Sequence, residues 1–511
     1  MSHERPRGRG AGAAANRPRT RASSGGAGID LVVRVAAAAL ALTAVAVLWS
    51  QAAIGTFATD ECFHAAASET LMRERRLPVT FPQFYSGFYY YYQPFFHVVG
   101  ALWAAVAGTE ALHVLPPALY AGLLALCLMS PFGRGSAIGG TWAALLCATQ
   151  GSLAPYAVRL YAEGLVTLLV AAAAALTARF LQSPRRWTAV ALGVVSGCAT
   201  LTKFSAWILP GAILVGALVA WRQRRGDVTR GLVLAAGIAV AMVAPHLVRN
   251  QVLYGSAVYP AFAPDLDRAL YTLNHARFST PLPAFYARLP NVFGLPVLAM
   301  AAAAIAVMFV RRSFGWKGAF LAFALLGALV VPLAPYASER HLNPYIALVA
   351  LASAAIVSEA LERRRLVRAG VSVALLAAVA LQLPSLQGQR SRFDLPPTQL
   401  QAFRAIAAHV PADGLILSLW TYDTAWYSGR RATWPNPWGQ RTHPVEMFYE
   451  TDPERFVAQL RRHGITHIIL PIYYSDEPFN SANYPGSFFR CAGSLQIAWR
   501  SELFALLKVP E

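Results

Sequence analysis

The chain has 511 residues, of which 56% are hydrophobic and only 14% are charged, whereas an ordinary globular protein is about 45–50% apolar and about 25% charged. A water-soluble chain of this length cannot bury that much apolar surface, so a set of soluble domains is excluded. The 44 Lys and Arg residues outnumber the 25 Asp and Glu residues and give a net charge of +19. Because the basic residues fall in short clusters between apolar blocks, this charge indicates membrane topology and not nucleic-acid binding.

Basic residues also dominate the start of the chain. Residues 1–29 carry six Arg and one Glu among many Gly, Ala, Ser and Pro residues. This composition cannot form a hydrophobic core, so we predict a disordered cytoplasmic tail. The apolar part that follows, residues 30–384, contains eleven blocks that approach the length of a membrane-spanning helix. In chain order the predicted spans are 31–50, 112–132, 136–154, 164–182, 188–202, 204–221, 231–247, 292–310, 318–335, 343–360 and 367–384.

One further apolar run, residues 94–108, decides the orientation of every later segment. If this run does not cross the membrane, all of the short basic loops face the cytoplasm together with the tail, as the positive-inside rule requires. If it crosses, the same loops all face outward. We therefore predict a re-entrant or juxtamembrane helix, which places four segments outside the cytoplasm: 51–111, 155–163, 248–290 and everything after about residue 385.

The last segment, residues 385–511, changes character, with more Asp, Asn, Pro and Trp. Its pattern predicts a strand at 415–420, an amphipathic helix at 453–464 and a second strand at 465–471. The sequence as a whole thus predicts a polytopic α-helical membrane protein of about eleven spans with juxtamembrane helices and a small C-terminal extracytoplasmic α/β domain. Cys62 and Cys491 both fall in exterior segments, and the sequence leaves open whether they pair.

The first exterior segment begins with two adjacent acids, Asp60 and Glu61, directly after the first span. Acids in that position are either solvated flanking residues or functional groups. A run of tyrosines at 89–92 follows, which is typical of a membrane interface and also suits stacking against a sugar. The candidates for acceptor or sugar binding are Tyr91, Tyr92 and Gln93.

Cations approach the same side of the membrane from four later segments. Arg159 and Glu163 are four residues apart and share a face on a helix, and Lys203 interrupts an apolar stretch. Snorkelling explains any one of these cations, but several of them around an acidic pair suit a phosphate-bearing substrate. The candidate phosphate ligands are Arg159, Lys203, Arg249, Arg340 and His341.

The spacing of Asp60 and His64, four residues apart, also suits a divalent metal ion. The candidate metal ligands are Asp60, His64 and Glu163, with Glu61 and His97 as further possibilities, and no cofactor is certain. The sequence contains no phosphate-loop, nucleophile-elbow, paired CxxC or HExxH motif.

The order of these motifs resembles the glycosyltransferase-C superfamily, in particular the branch that contains the protein O-mannosyltransferases and the lipid A aminoarabinose transferase. The resemblance covers about residues 30–360. It departs from the family at His341, where an aromatic residue more often follows the arginine. The matching segments are Asp60-Glu61, Tyr92-Gln93-Pro94, Arg159 with Glu163, residues 197–210 around Lys203, residues 245–260 around Arg249, and residues 340–344.

This resemblance implies an inverting enzyme of the cell membrane that transfers a hexosyl or pentosyl group from a polyprenyl-phosphate donor to a protein, lipid or glycan hydroxyl outside the cytoplasm. Asp60 would be the general base, and Glu163 would orient the acceptor or a metal. Lys203, Arg249 and Arg340 would hold the donor phosphate. From the residues alone two alternatives stay open: a polytopic transporter or lipid-glycan flippase, and a non-catalytic scaffold that binds polyprenyl glycans.

Overall fold

The computed structural model describes residues 25–79, 81, 90, 92–130, 138–149, 152–258, 282–312, 315–333, 338–418, 420–433, 450–472 and 486–510. Residues 1–24 of the predicted tail and the candidate Tyr91 lie outside the described residues. Within the described ranges the chain is helical up to residue 406, and strands occur only after that point.

Helices α1 to α9 occupy Gly25–Ile54, Asp60–Glu74, Phe95–Ala107, Leu115–Met129, Ile138–Ala148, Ala162–Gln182, Arg186–Thr200, Ile208–Arg222 and Gly226–Tyr254. Helices α10 to α18 occupy Leu282–Phe293, Leu295–Arg311, Trp316–Val330, Asn343–Ala360, Arg365–Leu386, Pro397–Ile406, Thr421–Ser428, Pro453–Arg462 and Gly486–Ala492. Short 3₁₀ helices lie at Thr109–Val114, Pro155–Ala157, Phe204–Ala206, Val331–Leu333 and Glu339–Leu342.

Eight helical segments in the described part of the chain are long and apolar enough to cross a membrane. A ninth span results if α10 and α11, which meet at a bend of 90°, are taken together. These helices make the chain a polytopic α-helical protein, as the composition predicted. The eight segments are Gly28–Ile54, Thr109–Met129, Ala162–Gln182, Phe204–Arg222, Gly226–Tyr254, Trp316–Leu333, Glu339–Ala360 and Arg365–Leu386.

The count of eleven spans stays a prediction, because two of the predicted blocks hold shorter helices. Block 136–154 contains the 11-residue helix α5, and block 188–202 contains the 15-residue helix α7. The run at 94–108 forms the 13-residue helix α3. That helix rises about 20 Å, less than the about 30 Å of a bilayer core, so its length suits a helix that does not cross.

Helix α13 forms the centre of the membrane-spanning part. Every residue from Asn343 to Ser358 is buried, and the helix packs against α5, α6, α11 and α12. Small residues let these helices approach closely. At Gly139 of α5, for example, an added Cβ would lie 2.6 Å from the Ser358 hydroxyl.

The C-terminal region contains a mixed sheet. Strands β1 to β5 occupy Leu415–Leu417, Arg431–Thr433, Ile465–Pro471, Gln496–Arg500 and Phe504–Lys508. Among the described residues they pair in the order β2-β1-β3-β5-β4. Strand β1 runs parallel to β2 and β3, whereas β5 runs antiparallel to β3 and β4, with Ile468 opposite Leu507. Helix α17 lies between β1 and β3 in the chain, so the structure has a strand, a helix and a strand where the sequence predicted them.

The sheet is not an isolated unit, because it shares a hydrophobic core with helices α2 and α3. This core combines the exterior segments near the start of the chain with the C-terminal region. The C-terminal residues therefore pack directly on the helices that carry Asp60. Representative members are Phe57, Phe63, Phe96, Leu417, Tyr422, Phe456 and Ile468.

Candidate active site

Asp60 is the first residue of helix α2, and a short loop separates it from the end of α1 at Ile54. The preceding residue, Thr59, has φ 55° and ψ −124°, a conformation that a β-branched residue rarely adopts. Neighbouring groups must hold this backbone in place. The loop thereby presents Asp60 at one end of the spanning helices.

Asp60 belongs to a chain of alternating charges. Its Oδ2 lies 3.5 Å from Nη1 of Arg340, and Nε of Arg340 lies 3.2 Å from Oε1 of Glu163. Lys203 forms a second ion pair with the same Glu163 oxygen. The Asp60 side chain keeps 34% of its surface exposed, whereas that of Glu163 keeps 2%. Asp60 is thus the acid of this cluster that an incoming molecule can reach.

A stack of aromatic and guanidinium groups borders the cluster. The Arg159 guanidinium lies 4.4 Å from the centre of the Tyr161 ring and 4.2 Å from that of Phe393. Arg159 also donates a hydrogen bond to the Tyr161 hydroxyl at 2.6 Å. The Arg340 guanidinium lies 5.2 Å from the same Tyr161 ring. Tyr161 therefore positions two cations next to Asp60.

Two of these arginines carry a buried N–H group that lacks a hydrogen-bond acceptor. They are the Nε groups of Arg159 and Arg340. The Arg340 Nε is close to Glu163 but lacks the alignment of a hydrogen bond. A buried donor without an acceptor is unfavourable, but each of these two groups faces a carboxylate, at 3.2 Å from Glu163 for Arg340 and at 3.8 Å from Glu61 for Arg159. Together with Lys203, the two arginines bring three positive charges close to Asp60 and Glu163. The site is thus electrostatically suited to a phosphate.

Glu61 differs from its neighbour Asp60 in its surroundings. Its side chain has no exposed surface and accepts hydrogen bonds from Nη1 of Arg390 at 2.7 Å and from the Leu160 backbone N–H at 2.8 Å. Arg159 Nε lies 3.8 Å from its other oxygen. Adjacent residues of a helix point in different directions, and here the second acid points inward. Its geometry favours a positioning role over contact with a substrate.

Of the other two predicted phosphate ligands, Arg249 is engaged away from the charged cluster, whereas His341 lies close enough to Glu163 to act on its charge. Arg249 donates hydrogen bonds to the backbone carbonyls of Pro78 at 2.9 Å and of Tyr90 at 3.1 Å, and among the described residues no ion pair joins it to the cluster. His341 accepts a hydrogen bond from the Ser338 backbone N–H at 3.3 Å. Arg249 thus ties the first exterior segment to α9, which sequence reasoning did not anticipate.

The hypothesis of a divalent metal held by Asp60, His64 and Glu163 does not fit the side chains. His64 Nδ1 lies 2.8 Å from Nε2 of His97 in a shared hydrogen bond, and Tyr90 bonds the other His97 nitrogen at 2.6 Å. Burial lowers the pKa of His64 to about 3 and so keeps its imidazole neutral, but the contact with His97 already occupies its Nδ1. Two cations already neutralise Glu163, and no group of three metal-binding side chains occurs in the described ranges.

The described aromatic candidate, Tyr92, belongs to a group of rings around Phe63 and His64. Tyr92 packs 4.7 Å from the ring of Phe63 and 5.6 Å from that of His64. Gln93 is 4% exposed, and its side-chain amide nitrogen has no hydrogen-bond partner. This geometry does not test the predicted contact with a sugar, which stays a prediction.

No protein-family model and no curated protein matches the sequence. Solved structures do match. The archaeal oligosaccharyltransferase AglB from Archaeoglobus fulgidus, in complex with an inhibitory peptide and a dolichol-phosphate, superposes with a TM-score of 0.61 at 14% identity, over 87% of this chain and 69% of that one. ArnT from Cupriavidus metallidurans, bound to undecaprenyl phosphate, superposes with a TM-score of 0.57 at 13% identity, over 92% and 97% of the two chains. The chain has the glycosyltransferase-C fold.

A third structure supports the same conclusion. The Archaeoglobus fulgidus oligosaccharyltransferase tethered with an acceptor peptide matches with a TM-score of 0.60 at 12% identity, over 92% of this chain and 72% of that one. The superfamily resemblance drawn from the ordered motifs is therefore confirmed at the level of the fold. At such identities the likeness is one of architecture.

Within this glycosyltransferase-C fold, sequence reasoning missed three residues next to Asp60. Arg390 binds Glu61 and Asp394, and the Asp423 carboxylate accepts a hydrogen bond from the Thr59 backbone N–H at 2.7 Å. All three come from the region after residue 385. A sequence signal existed only for Arg390, which follows the last span directly, where a basic residue outside the cytoplasm departs from the positive-inside pattern.

The cysteines Cys62 and Cys491, whose pairing the sequence left open, are both free. The Cys62 thiol lies 3.7 Å from Oδ1 of Asp423, and the Cys491 thiol lies 3.5 Å from the backbone carbonyl of Glu450. Burial, together with Asp423, raises the pKa of Cys62 well above its ordinary value. Cys62 is therefore held as a neutral thiol.

Proposed function

We propose that the protein is an inverting membrane glycosyltransferase that uses a polyprenyl-phosphate-linked sugar as donor. The observation that carries this proposal is the ion pair of the accessible Asp60 with Arg340 beside the buried Glu163 and Lys203. It combines a carboxylate that can accept a proton with cations that can bind a phosphate. The similar structures support it, since AglB was solved with a dolichol-phosphate and ArnT with undecaprenyl phosphate.

The donor phosphate would bind between the cations. The side chains of Arg340 and Arg159 keep 30% and 13% of their surface exposed, and Lys203 adds a third positive charge. Charge-assisted hydrogen bonds from these groups would grip the phosphate oxygens. In this arrangement Glu163 balances Lys203 and Arg340 and keeps both side chains in position.

The reaction follows from these charges. The Asp60 carboxylate accepts the proton of the acceptor hydroxyl, and the hydroxyl oxygen attacks the anomeric carbon from the face opposite the phosphate. The bond from that carbon to the phosphate oxygen breaks, and the phosphate keeps the electron pair. Arg340, Lys203 and Arg159 stabilise the negative charge that grows on the leaving phosphate. Attack opposite the leaving group gives inversion.

The orientation of the site is part of the proposal. The short basic loops support a cytoplasmic location for one end of the spans, with Asp60 and the C-terminal domain at the other end. Transfer would then occur outside the cytoplasm of a cell membrane, to a protein, lipid or glycan hydroxyl. Eleven crossings, with α3 as a juxtamembrane helix, are compatible with this orientation.

The proposal is tested with purified full-length protein, an extract of membranes as the source of acceptors, and radiolabelled polyprenyl-phosphate mannose, glucose and arabinose as donors. We expect one of these sugars to be transferred. Asp60→Asn should lower kcat by about 100-fold or more, because the amide keeps the size but cannot accept the proton. The matched control is Asp30→Asn, which removes the carboxylate of an aspartate that pairs with Arg368 at 3.1 Å at the opposite end of α1.

Retention of more than a third of wild-type transfer by Asp60→Asn would reject the general base. If the protein moves a labelled donor across a vesicle membrane and forms no new glycosidic bond, it is a transporter and the proposed enzymatic function is wrong. Arg340→Lys tests the phosphate contact separately. Lysine keeps the positive charge but lacks the planar guanidinium group with its several N–H groups. We therefore expect the apparent KM for the lipid donor to rise at least fivefold.

A further inference from the structure

The backbone directly before Asp60 is held in an unfavourable conformation. Thr59 has a positive φ of 55° with ψ −124°, and glycine is the residue that adopts such angles without a steric penalty. A β-branched residue keeps such backbone angles only if contacts with surrounding groups compensate for the steric cost. The direction of the Asp60 side chain depends on this backbone, because Asp60 is the next residue.

The Thr59 hydroxyl lies 3.4 Å from Tyr161 and from Arg159, but the contact to its backbone N–H comes from the C-terminal domain. The Thr59 backbone N–H donates to Oδ1 of Asp423 at 2.7 Å, across 364 residues of sequence. Asp423 is 2% exposed and lies on helix α16, directly after strand β1. A carboxylate that accepts from a backbone N–H forms one of the stronger hydrogen bonds in proteins. The thiol of Cys62, the third residue of α2, donates weakly to the same oxygen.

The residue after Asp60 is held from the same region. Nη1 of Arg390 donates to Glu61 at 2.7 Å and to the Val158 carbonyl at 2.7 Å. Arg390 is itself fixed by Asp394, which its Nε contacts at 2.9 Å. Both sequence neighbours of Asp60 are thus bound by buried groups that lie after residue 385.

A hydrogen bond and several ring contacts fix helix α16, which carries Asp423, against residues 57–63. The Tyr427 hydroxyl donates to the Phe57 carbonyl at 2.7 Å, and the Phe57 ring lies 5.8 Å from that of Trp426. On the other side of the loop, Phe63 lies 5.3 Å from Tyr422. Helix α16 therefore contacts the loop on both sides of Thr59, and Asp423 has little freedom to move away.

We propose that the C-terminal domain is a positioning element for sugar transfer, in which Asp423 holds the Thr59 backbone so that Asp60 is aimed at the acceptor. The proposal rests on the proposed role of Asp60 as general base. Asp423 is a positioning residue that does not itself meet the substrate. Arg390 acts in the same way through Glu61, on the opposite side of Asp60.

A positioning role differs from a merely structural one in what it changes. Loss of the Thr59 bond lets the backbone relax, which misdirects Asp60 but leaves the cations that bind the donor in place. The catalytic rate should therefore fall while the KM for the donor stays constant. A general loss of stability would lower the amount of active protein without this separation.

The test uses three variants of the full-length protein and one control. Asp423→Ala removes the acceptor, and Asp423→Asn keeps an oxygen at the same place. The double variant Thr59→Gly/Asp423→Ala supplies a residue that adopts positive φ without help. The control Asp452→Ala removes a carboxylate from the same domain that caps helix α17 by accepting from the Glu454 backbone N–H at 2.9 Å.

Sugar transfer is measured with whichever labelled polyprenyl-phosphate donor the wild type uses. We expect Asp423→Ala to lower kcat at least tenfold with a donor KM within twofold of wild type. Asp423→Asn should keep at least a third of kcat, and the double variant should exceed Asp423→Ala at least threefold. Asp452→Ala should keep kcat within twofold. If Asp423→Ala yields no folded protein, Asp423→Glu replaces it, because its displaced carboxylate should show the same loss in kcat at constant KM.

A second measurement needs no substrate. Hydrogen exchange of backbone amides in the peptide covering residues 55–63 should be at least tenfold faster in Asp423→Ala than in wild type and unchanged in Asp452→Ala. Wild-type kcat or unchanged exchange in Asp423→Ala would overturn the proposal. If exchange responds as expected but the wild type transfers no sugar, the proposed function fails and the catalytic part of this inference fails with it.

Discussion

The buried ion pair of Glu61 and Arg390 gives a prediction whose size follows from its surroundings. The two side chains are 0% and 3% exposed, and the distance between them is 2.7 Å. Removing one partner of such a pair leaves the other charge buried without compensation, which typically costs about 3–5 kcal/mol. We therefore expect Glu61→Gln and Arg390→Met each to lower the free energy of unfolding by an amount in this range.

The two variants should lose different amounts of unfolding free energy, because Glu61 and Arg390 each keep different contacts when the other is replaced. After Glu61→Gln, Arg390 still contacts Asp394 at 2.9 Å, so we expect a cost near the lower limit, about 3 kcal/mol. After Arg390→Met, the nearest cation to Glu61 is Arg159 at 3.8 Å, and the Val158 carbonyl also loses its donor. The cost should then lie near about 5 kcal/mol.

The measurement is an unfolding titration of the purified protein in mixed detergent micelles, followed by tryptophan fluorescence. The matched control is Glu69→Gln on helix α2, whose partner Arg73 is 71% exposed. Exposed pairs are worth about 0–1 kcal/mol, so this variant should be nearly neutral. The double variant Glu61→Gln/Arg390→Met should cost at least about 2 kcal/mol less than the sum of the single variants, since contacting residues couple.

Two results would refute this reasoning. A cost below about 1 kcal/mol for both single variants would mean that the buried pair behaves like a surface pair. Additive costs in the double variant would mean that the two charges do not depend on each other, whatever their distance.

Two further predictions concern the same contacts. Gly55→Ala should lower the free energy of unfolding by about 1–3 kcal/mol, because an added Cβ would lie 2.2 Å from Nε of Arg390. Gly237→Ala should be neutral or stabilising, because no atom lies within 4 Å of its added Cβ. The same titration measures both variants, and equal effects would contradict the packing argument. Burial raises the pKa of Asp423 to about 6, above about 3.9 in the unfolded chain. The folded state then binds more protons between these values, so stability should fall by up to about 3 kcal/mol as pH rises from about 4 to 6. Asp423→Asn should abolish this pH dependence of stability. If the unfolding free energy of that variant keeps the wild-type pH profile, other groups cause the dependence.

The sequence predicted most of the helical framework because apolar length and charge distribution govern it. Each of the eleven predicted blocks contains a helix. Convergence of Asp60, Glu163, Lys203 and Arg340 also followed from topology, since basic loops elsewhere placed these residues at one end of the spans. The predicted role of Arg249 agrees less well with its contacts in the structure. In the sequence, a cation at a helix end looks the same whether it binds a phosphate or backbone carbonyls.

The residues around Thr59 were beyond sequence reasoning for a physical reason. Asp423 and Arg390 meet Thr59 and Glu61 across 364 and 329 residues, and such contacts depend on how the sheet docks on α2 and α3. Hydrophobic periodicity predicts an element but not the surface on which it packs. The inward direction of Glu61 is a second example, because two adjacent acids carry no mark of which one becomes buried.

The long separation between Thr59 and Asp423 also has a consequence for biosynthesis. Ribosomes add about 5–20 residues per second, so the 364 residues between the two partners require about 20–70 s of further synthesis. During that time the helices that carry the charged cluster are made, but the Asp60 loop lacks the groups that hold it. The loop before Asp60 therefore reaches its final structure only after the C-terminal region has been made. A chain that stops before residue 423 lacks the Asp423 contact that holds this loop.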